Sequence, residues 1–169
     1  MTLYHDVDTQ ILNFVKQCPN HKHLIEFLKN NGENLKEIHL LYSCNVFNSG
    51  NDLLNLAIAK SCPNLKSLST VFKYDEIETL KVILNSCQHL EGIKVWCGGY
   101  NCDVNELLEV IAKCSPKKFH EVEMTWFYSV VLFPEGLEPF FTSWANRIPQ
   151  KSLSLIISRR KYSRLKKEV

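Results

Sequence analysis

The sequence contains no apolar run that approaches the roughly 20 residues needed for a membrane-spanning helix. Its first ten residues, MTLYHDVDTQ, lack the basic and apolar segments of a secretory signal peptide. It also has no Asn-x-Ser/Thr acceptor for N-linked glycosylation. These absences predict a protein of the cytoplasm or the nucleus that binds no membrane.

Basic residues are not concentrated on the body of the chain. The last eleven residues, 159–169, hold six of the 20 Lys and Arg and one of the 18 acids, which leaves 14 basic and 17 acidic side chains in residues 1–158. A nucleic-acid-binding domain would spread Lys and Arg over one face, so we expect no nucleic-acid partner. We interpret 1–158 as one domain and 159–169 as a basic tail. The tail is interpreted as a solvated extension, and a nuclear-import or nucleic-acid patch is the alternative.

Sequence signatures of catalysis and metal binding are also missing. None of G-x-S-x-G, H-E-x-x-H and G-x-x-x-x-G-K-S/T occurs. Cys97 and Cys102 are spaced C-x4-C, but no second pair stands at a zinc-site spacing. The sequence therefore predicts a protein that is not an enzyme and has no metal and no cofactor. A hydrolase or transferase hidden in a degenerate fold is the alternative.

A helix pattern followed by a strand pattern is what the chain does contain. Leu80, Ile83, Leu84 and Cys87 fall at i, i+3, i+4 and i+7, and the spacing Leu90-x-x-Ile93-x-Val95 follows. Such a unit cannot bury its own apolar faces and needs copies of itself on either side. Copies are present, with strands predicted to begin near Leu35, Leu65, Leu90, Phe119 and Leu153.

The helix before each strand ends at an equivalent position. These positions are Gly32, Cys62, Cys87, Cys114 and Trp144, separated by 30, 25, 27 and 30 residues. The period lies in or just beyond the range of roughly 20 to 29 residues found in leucine-rich repeats. The three cysteines are predicted to be buried thiols, because helices packed about 8 to 10 Å apart place them too far from one another for a disulfide or a shared ion.

The start of the chain is predicted to be helical. Ile11, Phe14, Val15 and Cys18 form a helical stripe that Asp8 can cap, and a second helix then runs to Gly32. Gly32 is predicted to end that helix in the left-handed conformation.

Two segments carry a family resemblance. SCPNLKSLS at 61–69 and SCQHLEGIKV at 86–95 resemble the leucine-rich repeats of F-box proteins, particularly the large and degenerate fungal families. The resemblance extends from about Ile11 to Ile157. It implies an α/β right-handed solenoid of about five units, similar to ribonuclease inhibitor, with a parallel concave sheet and helices on the convex side.

The same resemblance implies a role. In F-box proteins the repeats recruit a protein substrate, and an N-terminal F-box docks on a Skp1-type adaptor of a ubiquitin ligase. MTLYHDVDTQIL lacks the Leu-Pro-x-Glu opening of an F-box. The resemblance therefore predicts a substrate-recognition region or a detached relative of one, which binds an adaptor only if an F-box is supplied elsewhere. We expect a monomeric scaffold for protein–protein interaction.

Strand alternation places the expected binding surface. If Leu40, Thr70, Val95 and Met124 point toward the helices, the next residues point onto the concave face. Leu41, Val71 and Trp96 are then predicted to form an exposed apolar strip, followed by Thr125. A polar ladder of His39, Ser69, Lys94 and Glu123 is predicted beside it. The expected partner-binding residues are Leu41, Val71, Trp96, His39, Lys94, Glu123 and Tyr100. The alternative is that aromatic loops around residues such as Tyr100 fold back over the strip.

Overall fold

The computed structural model describes residues 10–14, 19–40, 51–72, 76–97, 104–126, 134–149 and 152–159. Strands and helices alternate along these segments. The strands are β1 Ile11–Asn13, β2 Glu37–His39, β3 Ser67–Phe72, β4 Gly92–Cys97, β5 Glu121–Trp126 and β6 Ser154–Arg159. The helices are α1 His21–Asn31, α2 Asn51–Ser61, α3 Ile77–Ser86, α4 Val104–Cys114 and α5 Pro134–Ala145. A short 3-10 turn, Gly32–Asn34, follows α1.

The six strands form one parallel sheet in which each strand pairs with its neighbours along the chain. Each helix contacts the next helix along the chain, so the helices form a single layer. The predicted α/β class and the parallel order of the five strands are confirmed. Short crossovers of this kind permit little else, because parallel strands need a connection that returns across one face.

The predicted first helix is wrong where the structure describes it. Ile11–Asn13 is a strand that pairs in parallel with Glu37–His39, so the sheet has six strands within the described residues. Leu12 is buried and Ile11 is exposed, as expected for a strand in which side chains alternate between faces. Pairing with β2 overrides the local helical spacing. Asp8, Val15 and Cys18 lie outside the described residues.

The core lies between the sheet and the helix layer. On the strands, Ile38, Leu68, Ile93 and Val122 are almost completely buried, and each lies two residues before one of the predicted inward positions Leu40, Thr70, Val95 and Met124. On α3, Leu80, Ile83 and Leu84 are fully buried, as the helical stripe predicts. Each such side chain contributes about 1.5 to 3 kcal/mol through burial.

Gly32 ends α1 for a reason that differs from the prediction. Its φ of −63° and ψ of −29° are right-handed, so the predicted left-handed cap is wrong. A Cβ built on Gly32 would lie 2.5 Å from the carbonyl oxygen of Ser61 and 2.9 Å from Cys62 Sγ. The glycine is therefore needed because the end of α2 packs directly against the backbone there.

Each helix together with the strand that follows it forms one unit, from α1 and β2 in the first unit to α5 and β6 in the fifth. The helix-to-strand connections are built alike in successive units. The carbonyl of Cys62 accepts a hydrogen bond from Leu65 N–H at 3.3 Å, and the carbonyl of Cys87 accepts one from Leu90 N–H at 3.0 Å. In the fourth unit the equivalent acceptor is Pro116, which is bonded by Phe119 N–H. Cys114 is consequently not in the cysteine position of the other units; it is the last residue of α4 and only half-buried.

Cys62 and Cys87 are buried thiols, as predicted. Cys87 Sγ donates a hydrogen bond to the carbonyl of Cys62 at 3.3 Å. Burial, together with the nearby Cys87, raises the pKa of Cys62 to about 12, and burial raises the pKa of Cys87 to about 11. Both groups therefore stay protonated and act as small apolar side chains.

A buried polar network joins α2, β3 and the start of α3. Thr70 Oγ1 donates to Asn55 Oδ1 at 2.9 Å. Asn55 Nδ2 donates to the carbonyl of Val71 at 3.0 Å and to Glu76 Oε2 at 3.2 Å. Thr70 occupies the inward position that Val95 fills in the next strand. The network gives its buried hydroxyl a hydrogen bond, without which that hydroxyl would destabilise the fold.

Besides the pairing of β5 with β6, Arg147 links the fifth unit to the fourth. Its guanidinium donates to the carbonyls of Ser115 and Pro116 at 2.7 and 2.9 Å and to Ser115 Oγ. It also lies 4.3 Å from the centre of the Trp144 ring. Arg147 thus binds the carbonyl groups just beyond α4, where a cation is favourable. Desolvation lowers the pKa of its guanidinium.

Candidate functional site

The predicted polar ladder is present in the register of the sheet. His39 pairs with Ser69, Ser69 with Lys94, and Lys94 with Glu123. Their inward neighbours Ile93 and Val122 belong to the core, so the ladder lies on the face of the sheet opposite the helix layer. We call this the second face.

A cleft of about 230 Å³ follows this ladder. It is lined by His39, Ser67, Ser69, Gly92, Ile93, Lys94, Glu121 and Glu123. Gly92 pairs with Ser67 on one side and Glu121 on the other. Because glycine and serine are small, this row forms a low floor, and the longer ladder side chains form a wall beside it.

His39 connects two strands at one end of the cleft. Its Nε2 lies 3.2 Å from Glu37 Oε2 and its Nδ1 lies 3.0 Å from Ser69 Oγ. A carboxylate only accepts hydrogen bonds, so Nε2–H donates to Glu37, and in the Nε2–H tautomer Nδ1 accepts from the Ser69 hydroxyl. This arrangement has the connectivity of nucleophile, base and acid.

Lys94 and Glu123 form an ion pair across β4 and β5 with a distance of 2.5 Å between Nζ and Oε1. Both side chains are half-buried in the cleft wall. Paired side chains on neighbouring strands fix one another's position, and each keeps a surface that a partner can contact. Glu121, at the rim, is exposed.

The predicted apolar strip aligns as expected but is not exposed. Val71 pairs with Trp96, and Trp96 pairs with Thr125. Val71 is 3% exposed, Trp96 4% and Thr125 2%. The expected exposure of Val71 and Trp96 is therefore wrong. The physical reason is that alternation assigns a residue to one face of the sheet without determining whether other groups cover it there. Leu41 and Tyr100 lie outside the described residues.

A larger cleft of about 370 Å³ lies at the amino ends of the strands. Its lining residues are Gln10, Glu33, Asn34, Lys36, Asn64, Lys66 and His89, all of them exposed. In the part of the chain that the structure describes, the side chains of this cleft form no ion pair with one another. The smaller cleft is the better candidate, because hydrogen bonds and an ion pair hold its side chains in position.

Metal chemistry finds no support in the described segments. They contain no group of three or more His, Cys, Asp or Glu side chains that could hold an ion. Among these same residues, no helix has the length and apolar character needed to cross a membrane.

Sequence reasoning identified the ladder but missed the residues that order it. Glu37 and Ser67 lie on the same face two residues before His39 and Ser69, so alternation alone could have found them. Asn55, Glu76 and Arg147 stabilise other parts of the fold. No signal in the sequence pointed to them, because their partners are distant along the chain.

Comparisons with known proteins identify no relative: no protein-family model matches the chain, and no curated protein matches it in sequence.

Proposed function

We propose that this protein is a scaffold for protein–protein interaction that binds a partner through the polar ladder of the second face. The observation that carries the proposal is the alignment of His39, Lys94 and Glu123 along one cleft on parallel strands, with the buried Ser69 between His39 and Lys94. Neighbouring strands place such side chains at intervals of about 4.8 Å in one row, so a partner segment that lies across the strands can contact several of them.

The chemistry of the cleft favours a polar partner segment. Lys94 and Glu123 provide one positive and one negative contact, and His39 provides a ring that is held by Glu37 and Ser69. Charged pairs of this kind discriminate among partners more than they add affinity. Val71 and Trp96 are buried and support the surface instead of contacting the partner first.

More specifically, we propose that the protein is a substrate-recognition region of an F-box-type ubiquitin ligase receptor, or a detached relative of one. It includes a right-handed leucine-rich-repeat solenoid with the second face as its concave side. The resemblance of 61–69 and 86–95 to such repeats supports it. Under this proposal the protein acts in the cytoplasm or nucleus, and a Skp1-type adaptor joins it only through an F-box supplied elsewhere.

A pair of charge-swapped variants tests the binding surface. Lys94→Glu combined with Glu123→Lys restores the ion pair in the opposite order, so the fold should persist. The matched control is Lys113→Glu combined with Glu109→Lys, which swaps an exposed pair on α4. Affinity capture followed by mass spectrometry should show partners that both wild type and control retain and that the ladder variant loses. Equal capture by all three proteins would contradict the proposal.

A second candidate function is supported by the Glu37–His39–Ser69 connectivity. In a hydrolase of this kind, Ser69 Oγ would attack an acyl carbonyl while His39 Nδ1 takes its proton. Ser69 lies in the middle of the strand order, however, and the carbonyl of Ser69 and the N–H of Leu40 are already bonded to each other at 2.8 Å. Neighbouring backbone donors are engaged in the sheet in the same way, so they are not free to stabilise an oxyanion.

The hydrolase candidate is tested with a fluorophosphonate probe. Labelling at Ser69 that disappears in the His39→Ala variant would establish it in place of the scaffold. Absence of labelling at Ser69 would contradict its assignment as a nucleophile.

A further inference from the structure

The last unit exposes the positions that inner units bury. On β4 and β5, the inward residues Val95, Val122 and Met124 are fully buried. On β6, the corresponding Leu155 and Ile157 are only partly buried. The helix layer shows the same difference at its end, because Phe141 of α5 is 49% exposed.

This end of the array is therefore an apolar stacking surface. An apolar surface that stays uncovered in this way promotes association with another apolar surface. Ile156 adds to the apolar area on the second face, where it is 47% exposed beside Glu123. β6 is also an edge strand, with β5 as its one neighbour among the described strands. An open edge strand is a template for pairing with another strand.

The sequence of β6 is complementary to itself in the antiparallel direction. If a two-fold axis perpendicular to the sheet passes beside Ile156, each side chain stays on its own face. Ile156 then opposes Ile156 of a second copy, Ser154 opposes Ser158, and Leu155 opposes Ile157. Every apolar residue of Ser154–Ser158 meets an apolar residue, and every serine meets a serine. Centring the axis on Leu155 or Ile157 instead sets Ile156 against a serine.

We propose that two copies of this chain associate through β6 and α5 about this two-fold axis. The two sheets become one continuous sheet, and α5 of one copy lies beside α5 of the other in the helix layer. The polar ladders of both copies lie on the same face of the joined sheet. A head-to-tail arrangement would instead pair β6 with β1, which offers only three residues.

The size of the surface sets the strength of the association. β6 is about 20 Å long, and the sheet and helix layers together are roughly 20 Å deep. The footprint is then about 400 Å² per copy, roughly half that of a standard stable interface. The dimer is therefore weak, with a dissociation constant in the micromolar range or above, and it forms only at high protein concentration.

Sedimentation and cross-linking test this interface. The wild-type chain should be monomeric at about 1 µM and substantially dimeric at about 200 µM, as mass action requires for a weak dimer. Ile156→Lys should remain monomeric throughout, because it places like charges opposite each other. Val82→Lys is the matched control, since Val82 is an exposed apolar residue on α3, away from this end.

A cysteine at position 156 tests the symmetry itself. The axis brings the two Cα atoms to about 4.5 to 5.5 Å, which a disulfide can span. Ile156→Cys should give a covalent dimer under mild oxidation well above the background of wild type and of Val82→Cys. A wild-type chain that is monomeric at the high concentration overturns the proposal. So does a dimer that Ile156→Lys leaves intact, or an Ile156→Cys variant that does not cross-link above background.

Discussion

Replacing Gly32 with alanine should destabilise the protein, although the local backbone favours alanine. Gly32 has right-handed helical angles, and at such a position Gly→Ala usually stabilises by about 0.4 to 1 kcal/mol. The new Cβ would, however, lie 2.5 Å from the Ser61 carbonyl oxygen, 2.9 Å from the Ser61 carbonyl carbon and 2.9 Å from Cys62 Sγ. The packing effect and the conformational effect therefore have opposite signs.

The magnitude follows from which atoms must move. Two of the three contacts belong to the backbone at the end of α2, so α1 and α2 have to separate by roughly 0.5 to 1 Å to reach ordinary contact distances. Overpacking of this kind costs about 1 to 3 kcal/mol. After the conformational gain, the net loss is about 1.3 kcal/mol at the middle of a range of about 0 to 2.6 kcal/mol, and the middle value lowers the Tm of a domain of this size by roughly 3 to 5 °C.

Gly136→Ala is the matched control. A Cβ there would lie 2.5 Å from Asn105 Oδ1 and 3.0 Å from its Cγ and Nδ2, which all belong to one exposed side chain that can shift at less cost than the backbone at Ser61. Because Gly136 lies inside α5, alanine gains up to about 1 kcal/mol of helix propensity. Thermal unfolding followed by circular dichroism should show a lower Tm for Gly32→Ala and an unchanged or higher Tm for Gly136→Ala. If Gly32→Ala melts at or above the wild-type temperature, the close approach of α1 and α2 is refuted.

Two substitutions and the chemistry of the buried thiols test other parts of the structure. Arg147→Ala removes charge-assisted hydrogen bonds to two carbonyls and should cost about 2 to 3 kcal/mol in the free energy of unfolding by denaturant, whereas Lys113→Ala on exposed α4 should cost under about 0.5 kcal/mol. Trp96→Ala should cost about 3 to 5 kcal/mol because Trp96 is buried, and a Tm equal to that of wild type would contradict this. Peptide mapping after thiol alkylation of the native protein at pH 8 should find Cys62 and Cys87 unmodified. Because the pKa values of both thiols in the folded state are raised above the ordinary value of 9.0, their contribution to the free energy of unfolding should be fully present below pH 9. It should fall as the pH rises from 9 toward about 11 to 12.

Strand positions were predictable because inward residues alternate with outward ones. Leu68 stands between two serines and Ile93 between Gly92 and Lys94, and a further inward residue follows each of them two positions later, which is a local signal. The same alternation gave the polar ladder. Sequence periodicity therefore determined the order and direction of five strands and one row of side chains.

The remaining features depend on contacts between distant residues. Ile11 fits a helical stripe as well as a strand, and only pairing with Glu37 decides between them. The burial of Trp96 could not be read from alternation, because alternation assigns a face without saying whether that face is covered. Arg147 contacts Ser115, which is 32 residues away, and no spacing rule predicts such a bond.

The most direct test of the binding surface is site-specific photo-crosslinking. A photoreactive amino acid placed at Glu121, on the exposed rim of the cleft, should cross-link to the partner. The same amino acid at Glu109, on the exposed side of α4, should not. The partner cross-linked through position 121 should be lost when Lys94 and Glu123 exchange their charges. Cross-linking of that partner through position 109 alone would contradict it.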